Sequence, residues 1–298
     1  MGLFERLRRG GLALAMAGAA LVAGLAAAPV RAEPAIWEAK AAGGGTAYLF
    51  GTFHLMRPDV AWYSTKVQTA FEASQELWLE IREVDDPKAI QPLLMKYGYD
   101  QAHPLSGKLA AGDRALLAKD AAAAGMPEAQ FEPMRPWLAA MLLSMAPVEK
   151  AGYGADNGVD LALKGKAVAR DEPVQAFETM EQQLRYFADL PAPVEINYLH
   201  QTLKEFDLDL KELDEAAGAW ANGDVEGIDR VLMADMRKEA PELYEVLLKH
   251  RNEAMADQIA ARLAKGGTVF VAVGAGHLTG PDGIQAALER RGVQVKRL

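Results

Sequence analysis

The chain contains no cysteine. It therefore has no disulfide staple, no thiolate nucleophile or thiol ligand, and no site for lipid attachment at a leader junction. It has no basic excess either. The formal net charge is −9, which opposes nonspecific binding to nucleic acid or to an anionic membrane surface. There is no P-loop, no G-x-S-x-G elbow and no G-x-G-x-x-G after a strand. Gly152-Tyr153-Gly154 follows a helical stretch and carries no dinucleotide signal. Aromatics make up 7% of the residues and are scattered, with no stacking platform beside basic side chains. Beyond residue 28 no apolar run is long enough to span a bilayer. Histidine is scarce, five in all, so the placement of two of them is informative.

Residues 1–32 read as a secretory leader. Arg6, Arg8 and Arg9 form a positive n-region, residues 10–28 an apolar stretch, and Val30-Arg31-Ala32 a small-residue cleavage site near Ala32. A periplasmic or secreted protein is expected, with residues 33–298 as one domain and no stable membrane insertion after cleavage. Removing the leader takes away four Arg and one Glu, leaving a net charge of about −12. A chain of this size can bury a full core without covalent staples.

One short phrase occurs twice. Thr46-Ala47-Tyr48-Leu49-Phe50 runs into Gly51-Thr52-Phe53-His54-Leu55, and Val269-Phe270-Val271-Ala272-Val273 runs into Gly274-Ala275-Gly276-His277-Leu278. Each is an apolar run of strand length, as in a buried parallel strand, followed by a glycine that permits a tight turn. His54 and His277 should therefore emerge at the carboxyl ends of two strands, the edge where open α/β sheets bind ligands.

Between the phrases the pattern alternates. Residues 37–40 and 47–51 read as a hairpin around Gly43-Gly44-Gly45, 60–74 as a helix and 76–81 as a short strand with one misplaced acid, Glu80. Residues 86–147 read as helices punctuated by Pro and Gly, with Gly98 and Gly165 as helix ends. Further helices are expected over 158–166, 180–188, 194–213, 215–237, 241–264 and 282–291. Strands are expected over 173–177, ending at Glu178, and over 293–296. Strand–helix units at both ends frame a helical middle, which argues an α/β sheet with a long helical insertion or cap.

His54, Glu80, Glu178 and His277 each close an apolar run. Two imidazoles with one or two carboxylates suit a divalent first-row metal, and such a metal activates a bound water. A second carboxylate can act as general base, and an Arg can stabilise developing negative charge. Each residue also has a plainer reading. The histidines could cap helices, Glu80 could pair with a buried Arg, and Glu178 could be a first-turn acid favoured by the helix dipole. Arg251-Asn252 reads most simply as a solvated helix face. His103, His200 and His250 lack the strand context and read as surface or satisfied histidines.

These motifs resemble the TraB/GumN family, which includes the Tiki proteins and the PrgY and TraB pheromone-inhibition proteins. The resemblance runs over Gly51 to His54, Glu80 in Leu77-Trp78-Leu79-Glu80-Ile81, Gly158-Val159-Asp160, Glu178-Thr179-Met180-Glu181-Gln182, Arg251-Asn252 and Gly274-Ala275-Gly276-His277. Asp160 stands where Glu is common, and His250 where many relatives have Glu. The resemblance implies an EreA/ChaN-like mixed sheet flanked by helices. It also implies a metal-dependent hydrolase of the metalloprotease type, holding Mn, Co or Zn through His54, Glu80 and His277. Glu80, Glu178 and Arg251 would be its catalytic groups, and a peptide or small molecule its substrate. Two alternatives stand beside it: a non-enzymatic periplasmic module that sequesters a peptide or other ligand, and a hydrolase of a non-peptide ester.

Overall fold

The computed structural model describes residues 30–83, 86–206 and 209–298. Apart from residues 30–32, the expected leader lies outside the described residues. Val30–Arg31 pairs in parallel with Val60–Ala61 as a small separate sheet.

The main sheet has six strands: β1 (Ile36–Lys40), β2 (Thr46–Thr52), β3 (Leu77–Leu79), β4 (Val174–Ala176), β5 (Thr268–Gly274) and β6 (Gln294–Arg297), in the order β4-β3-β5-β2-β1-β6. The four strands β4, β3, β5 and β2 are mutually parallel, whereas β1 runs antiparallel to both β2 and β6. β2 and β5, the strands of the repeated phrase, are neighbours, with Thr46 opposite Thr268 and Thr52 opposite Gly274. This register brings the chain that carries His54 and the chain that carries His277 off the sheet side by side.

Both strands are buried on both faces, which is why they read as unbroken apolar runs. Phe50, Phe270 and Ala272 pack on one face with Phe71 of helix α1 (Thr65–Glu72), Val159 and Leu163 of α3 (Val159–Ala169) and Trp220 of α6 (Asp209–Ala221). Leu49, Val269, Val271 and Val273 pack on the other face with Met255, Ile259 and Leu263 of α7 (His250–Leu263) and Ile284 and Leu288 of α8 (Ile284–Arg290). In α7 the residues 252, 255, 256, 259 and 263 are buried, one stripe at helical spacing. At about 25 cal/mol per Å² of apolar area, fully burying each large side chain here contributes roughly 1.5–3 kcal/mol. The helical middle has an apolar cluster of its own. There Trp137, Leu138 and Leu143 of α2 (Pro136–Lys150) meet Leu199 and Leu203 of α5 (Ala192–Glu205) and Leu184 of α4 (Met180–Ala188). The result is a mixed sheet between helical layers, extended by a helical part.

Several expected boundaries move. The helix expected over 60–74 covers only Thr65–Glu72 and starts at Ser64, whose hydroxyl accepts from the Val67 N–H. Gly165 lies within α3, exposed, and is not a helix end. Gly98 does cap the helix Pro87–Tyr97. The segment Glu245–Lys249 is wound as a wider π-type turn just before α7. Such turns offset the helical hydrogen bonding and recur near functional sites.

Candidate functional site

At the carboxyl edge of the parallel strands, five chain segments deliver polar side chains to one place. Glu80 follows β3 directly. Glu178 follows β4, and its N–H donates to the Glu80 carbonyl at 2.9 Å, which extends the strand pairing past the sheet. Thr179 then starts α4 with a reciprocal cap: its hydroxyl accepts from the Gln182 N–H, and the Gln182 side chain accepts from the Thr179 N–H. The cap holds Glu178 at the edge and turns Gln183 toward it.

Arg251 is the hub. Its Nε and Nη2 donate to the two oxygens of Glu178 at 2.9 and 2.8 Å, and Nη2 also donates to Glu80 Oε2 at 2.6 Å. Nη1 donates to the Leu247 carbonyl at 3.0 Å, in the wide turn before α7. The guanidinium lies over the Tyr186 ring, 5.4 Å from its centre. Gln183 Nε2 bridges Glu80 and Glu178 at 3.0 Å to each, and the Tyr186 hydroxyl donates to Glu178 at 3.1 Å. The solvated face expected for Arg251-Asn252 is thus wrong: Asn252 is 2% exposed and the Arg251 side chain 10%. Burial disfavours the guanidinium charge, but bonding to Glu178 and Glu80 outweighs it and pushes the Arg251 pKa further up.

Glu80 Oε1 accepts the backbone N–H of Gly274 at 2.6 Å, so one carboxylate ties β3 to the end of β5. Burial pushes the Glu80 carboxyl up, yet His277, Arg251, His54 and the Gly274 N–H outweigh burial and hold it well below the usual carboxylate range. His277 is buried, and its Nδ1 donates to Asn252 Oδ1 at 2.5 Å. Burial draws its pKa down to about 4, against the pull of Glu80, so the ring is neutral at pH 7. His54 behaves in the opposite way. Its Nδ1 donates to Asp160 Oδ2 at 2.8 Å, and Asp160 also accepts from the Thr52 hydroxyl. The Asp160 charge raises its pKa to about 9 despite desolvation. Its side chain is 61% exposed, which makes it the face of the cluster open to solvent.

The tertiary structure therefore brings His54, Glu80, Glu178, Arg251 and His277 together, but not as a metal centre. Among the described residues no group of three or more His, Cys, Asp or Glu side chains is arranged to hold a metal ion. Glu80 is engaged through both oxygens by N–H donors, with a guanidinium against one of them, and Glu178 is held the same way. Placing a cation beside the would-be carboxylate ligand is the reverse of what a divalent ion requires. The expectation of Mn, Co or Zn held by His54, Glu80 and His277, and with it the metal-dependent hydrolase and metalloprotease readings, is corrected on this ground. Glu178, expected among the catalytic groups, is locked to Arg251.

Asp160, Asn252, Thr52, Gln183 and Tyr186 were not expected in the cluster. Asp160 sits on the His54 ring itself, so the Asp-for-Glu departure lies at the site and not in a remote helix. The signal for Asp160 was an acid in the first turn of a helix whose N-terminus faces a strand-end histidine. For Asn252 it was adjacency to Arg251. His103 and His250 are exposed, and His200 is half-buried and bonded to Asp113 at 2.8 Å, as satisfied histidines should be.

The model of the TraB/PrgY/gumN family matches residues 35–297 of the chain. The chain is similar to the uncharacterized protein YbaP of Escherichia coli (strain K12), 25% identical over 243 residues, which cover 81% of this chain and 87% of the relative. It is similar to the same extent to YbaP of Shigella flexneri, again 25% identical over 243 residues. No solved structure matches the chain significantly.

Proposed function

This chain belongs to the TraB/PrgY/gumN family, and we propose that it is an exported protein that binds and sequesters a peptide or other small ligand at the His54 edge of its sheet. The observation that carries this reading is the division of labour in the cluster. Glu80 and Glu178, the groups that would have to act as a base, are committed to fixed N–H donors. His54 is held by Asp160 and opens to solvent. A buried, internally paired network of this kind is rigid and pre-organised, which favours binding because little ordering remains to be done.

The leader over residues 1–32, the single domain over 33–298 and the periplasmic or secreted location belong to the same proposal, and family membership supports them. So does kinship with EreA/ChaN-like folds, supported by the mixed sheet with a helical middle. Among the described residues no helix is long and apolar enough to cross a membrane.

The test is retention of short peptides by the purified protein in equilibrium dialysis, with peptide masses read before and after. Wild type should hold a subset of peptides intact, with chelator making no difference, and His54→Ala should release them. Shortened peptides, or equal retention by His54→Ala, would refute the reading.

A further inference from the structure

Two cavities open on one seam of the helical part, where residues 182–198 lie against residues 239–246. Proline breaks the helices on both sides of it. α4 ends at Ala188 and α5 starts after Pro191, and the helix Ala234–Glu239 gives way to Pro241–Tyr244. Proline offers no N–H and turns the residue before it away from the helix, so helix ends meet here and side-by-side packing is interrupted.

The first cavity, of about 330 Å³, adjoins the ion-pair network: Tyr186 lines it while its hydroxyl donates to Glu178 and its ring lies under Arg251. Leu190, Pro191 and Val246 complete the apolar wall. The second cavity, of about 290 Å³, is walled by Val194, Tyr198, Pro241 and Leu243. Leu190, Leu243, Val194, Tyr198, Val246 and Tyr186 pack in one apolar cluster, so a single apolar body underlies both cavities. Each has room for one large side chain and is smaller than most drug-sized ligand sites.

The polar groups around the cavities are mostly spent on one another. Arg185 Nε donates to Asp189 at 3.0 Å, and Lys238 pairs with Glu239. The Tyr186 hydroxyl is committed to Glu178, and Gln182 Oε1 accepts the Thr179 N–H. Among the described residues two amide groups are left uncommitted, Gln182 Nε2 at the first cavity and the Asn197 side chain at the second. Gln182 Nε2 can donate to a main-chain carbonyl, and the Asn197 carboxamide can both donate and accept. Glu242 is the one lining acid without an ion-pair partner among the described residues. It repels an acidic ligand. A basic side chain would have to shed its water against apolar walls. Uncharged apolar side chains, carried on a main chain of amides, fit both the walls and the free amide groups.

We propose that this seam binds an extended peptide segment through its apolar side chains, one seated in each cavity, with Gln182 and Asn197 bonding its main chain. The proposal rests on the sequestering function and names the class of ligand, a peptide whose side chains at the seam are uncharged and apolar. Successive side chains of an extended chain point to opposite sides, so alternate residues reach the same surface. Tyr186 joins the seam to the network, because a side chain in the first cavity rests on the ring whose hydroxyl bonds Glu178.

The test is titration of the full chain, methyl-labelled at leucine and valine, with an end-capped heptapeptide of alternating glycine and leucine. Saturable methyl shifts are expected at Leu190 and Val246 in the first cavity and at Val194 and Leu243 in the second. The same peptide with serine or glutamate in place of leucine should give none, a control that needs no variant. Val194→Glu and Val246→Glu, at half-buried positions, should each bind the leucine peptide roughly tenfold more weakly. No saturable shift, shifts confined to other methyl groups, an equal response to the serine peptide, or full binding by both variants would overturn the proposal. Retention of the same peptide in dialysis separates it from the reading it rests on. Release by His54→Ala with full retention by Val194→Glu and Val246→Glu overturns the seam and leaves sequestration at the His54 edge standing. Seam shifts with unchanged retention by His54→Ala leave the seam standing and refute the His54 edge.

Discussion

Replacing Arg251 by Met should be the most damaging conservative-volume change at the sheet edge. Arg251 makes three charge-assisted bonds to two carboxylates, at 2.6, 2.8 and 2.9 Å, inside a site from which water is largely excluded. Methionine fills much of the same space over Tyr186 but leaves Glu80 and Glu178 facing each other without the guanidinium between them. Removing one partner of a buried pair costs about 3–5 kcal/mol, because the charge left behind is uncompensated. In a domain of this size that lowers the thermal midpoint by roughly 10 °C. Urea unfolding at pH 7 followed by circular dichroism gives the free-energy difference directly, provided the slope is unchanged. A second change, Glu178→Gln in the Arg251→Met background, should recover part of the loss, since it removes one of the two stranded charges. A loss below about 1 kcal/mol for Arg251→Met, the range of exposed ion pairs, would refute the description of the hub as a buried, desolvated network.

Acidification should destabilise the fold before general acid unfolding. His277 is drawn from 6.5 down to about 4, so below pH 6.5 the unfolded chain takes up a proton that the folded chain refuses. Stability is then lost between those values, by about 3 kcal/mol for this group. Glu80, held low, adds a loss that begins below its unfolded value and has the same sign. Urea midpoints at pH 7, 5.5 and 4 measure this, and a flat profile would contradict it. Gly158→Ala should shift the His54 loop, because a Cβ there would lie 2.4 Å from the His54 carbonyl oxygen. A stability loss of about 1–3 kcal/mol, with displaced His54 nitrogen resonances, is expected. Trp220→Phe removes the 2.8 Å bond from the indole N–H to the Gly51 carbonyl. The buried carbonyl left without that donor should cost about 1–3 kcal/mol in a thermal or urea melt.

The repeated phrase was legible because strand burial and the glycine after it are local. A run buried on both faces must be apolar throughout, and His54 and His277 then fall at equivalent strand ends whatever the rest of the chain does. Glu80 and Glu178 could be placed at the same edge for the same reason. Arg251 could not be read this way. On the helical pattern of α7 it sits beside Lys249 and His250, and only the docking of α7 on the sheet turns that side inward. Asp160 and Asn252 were hidden similarly, since their partners lie 106 and 25 residues away along the chain.

The amino-acid sequence by itself determined the α/β class, the equivalence of two strand units and the candidate edge, since these follow from periodicity and from the polar residues that close each apolar run. The tertiary structure alone decided what that edge is electrically. Residue types permit a metal shell as readily as an ion-pair network, because His and Glu serve either. The choice was made by the approach of one guanidinium to two carboxylates, and by an Asp on one imidazole and an Asn on the other. Those distances are set by how α3, α4 and α7 pack on the sheet, and no local run of residues encodes them.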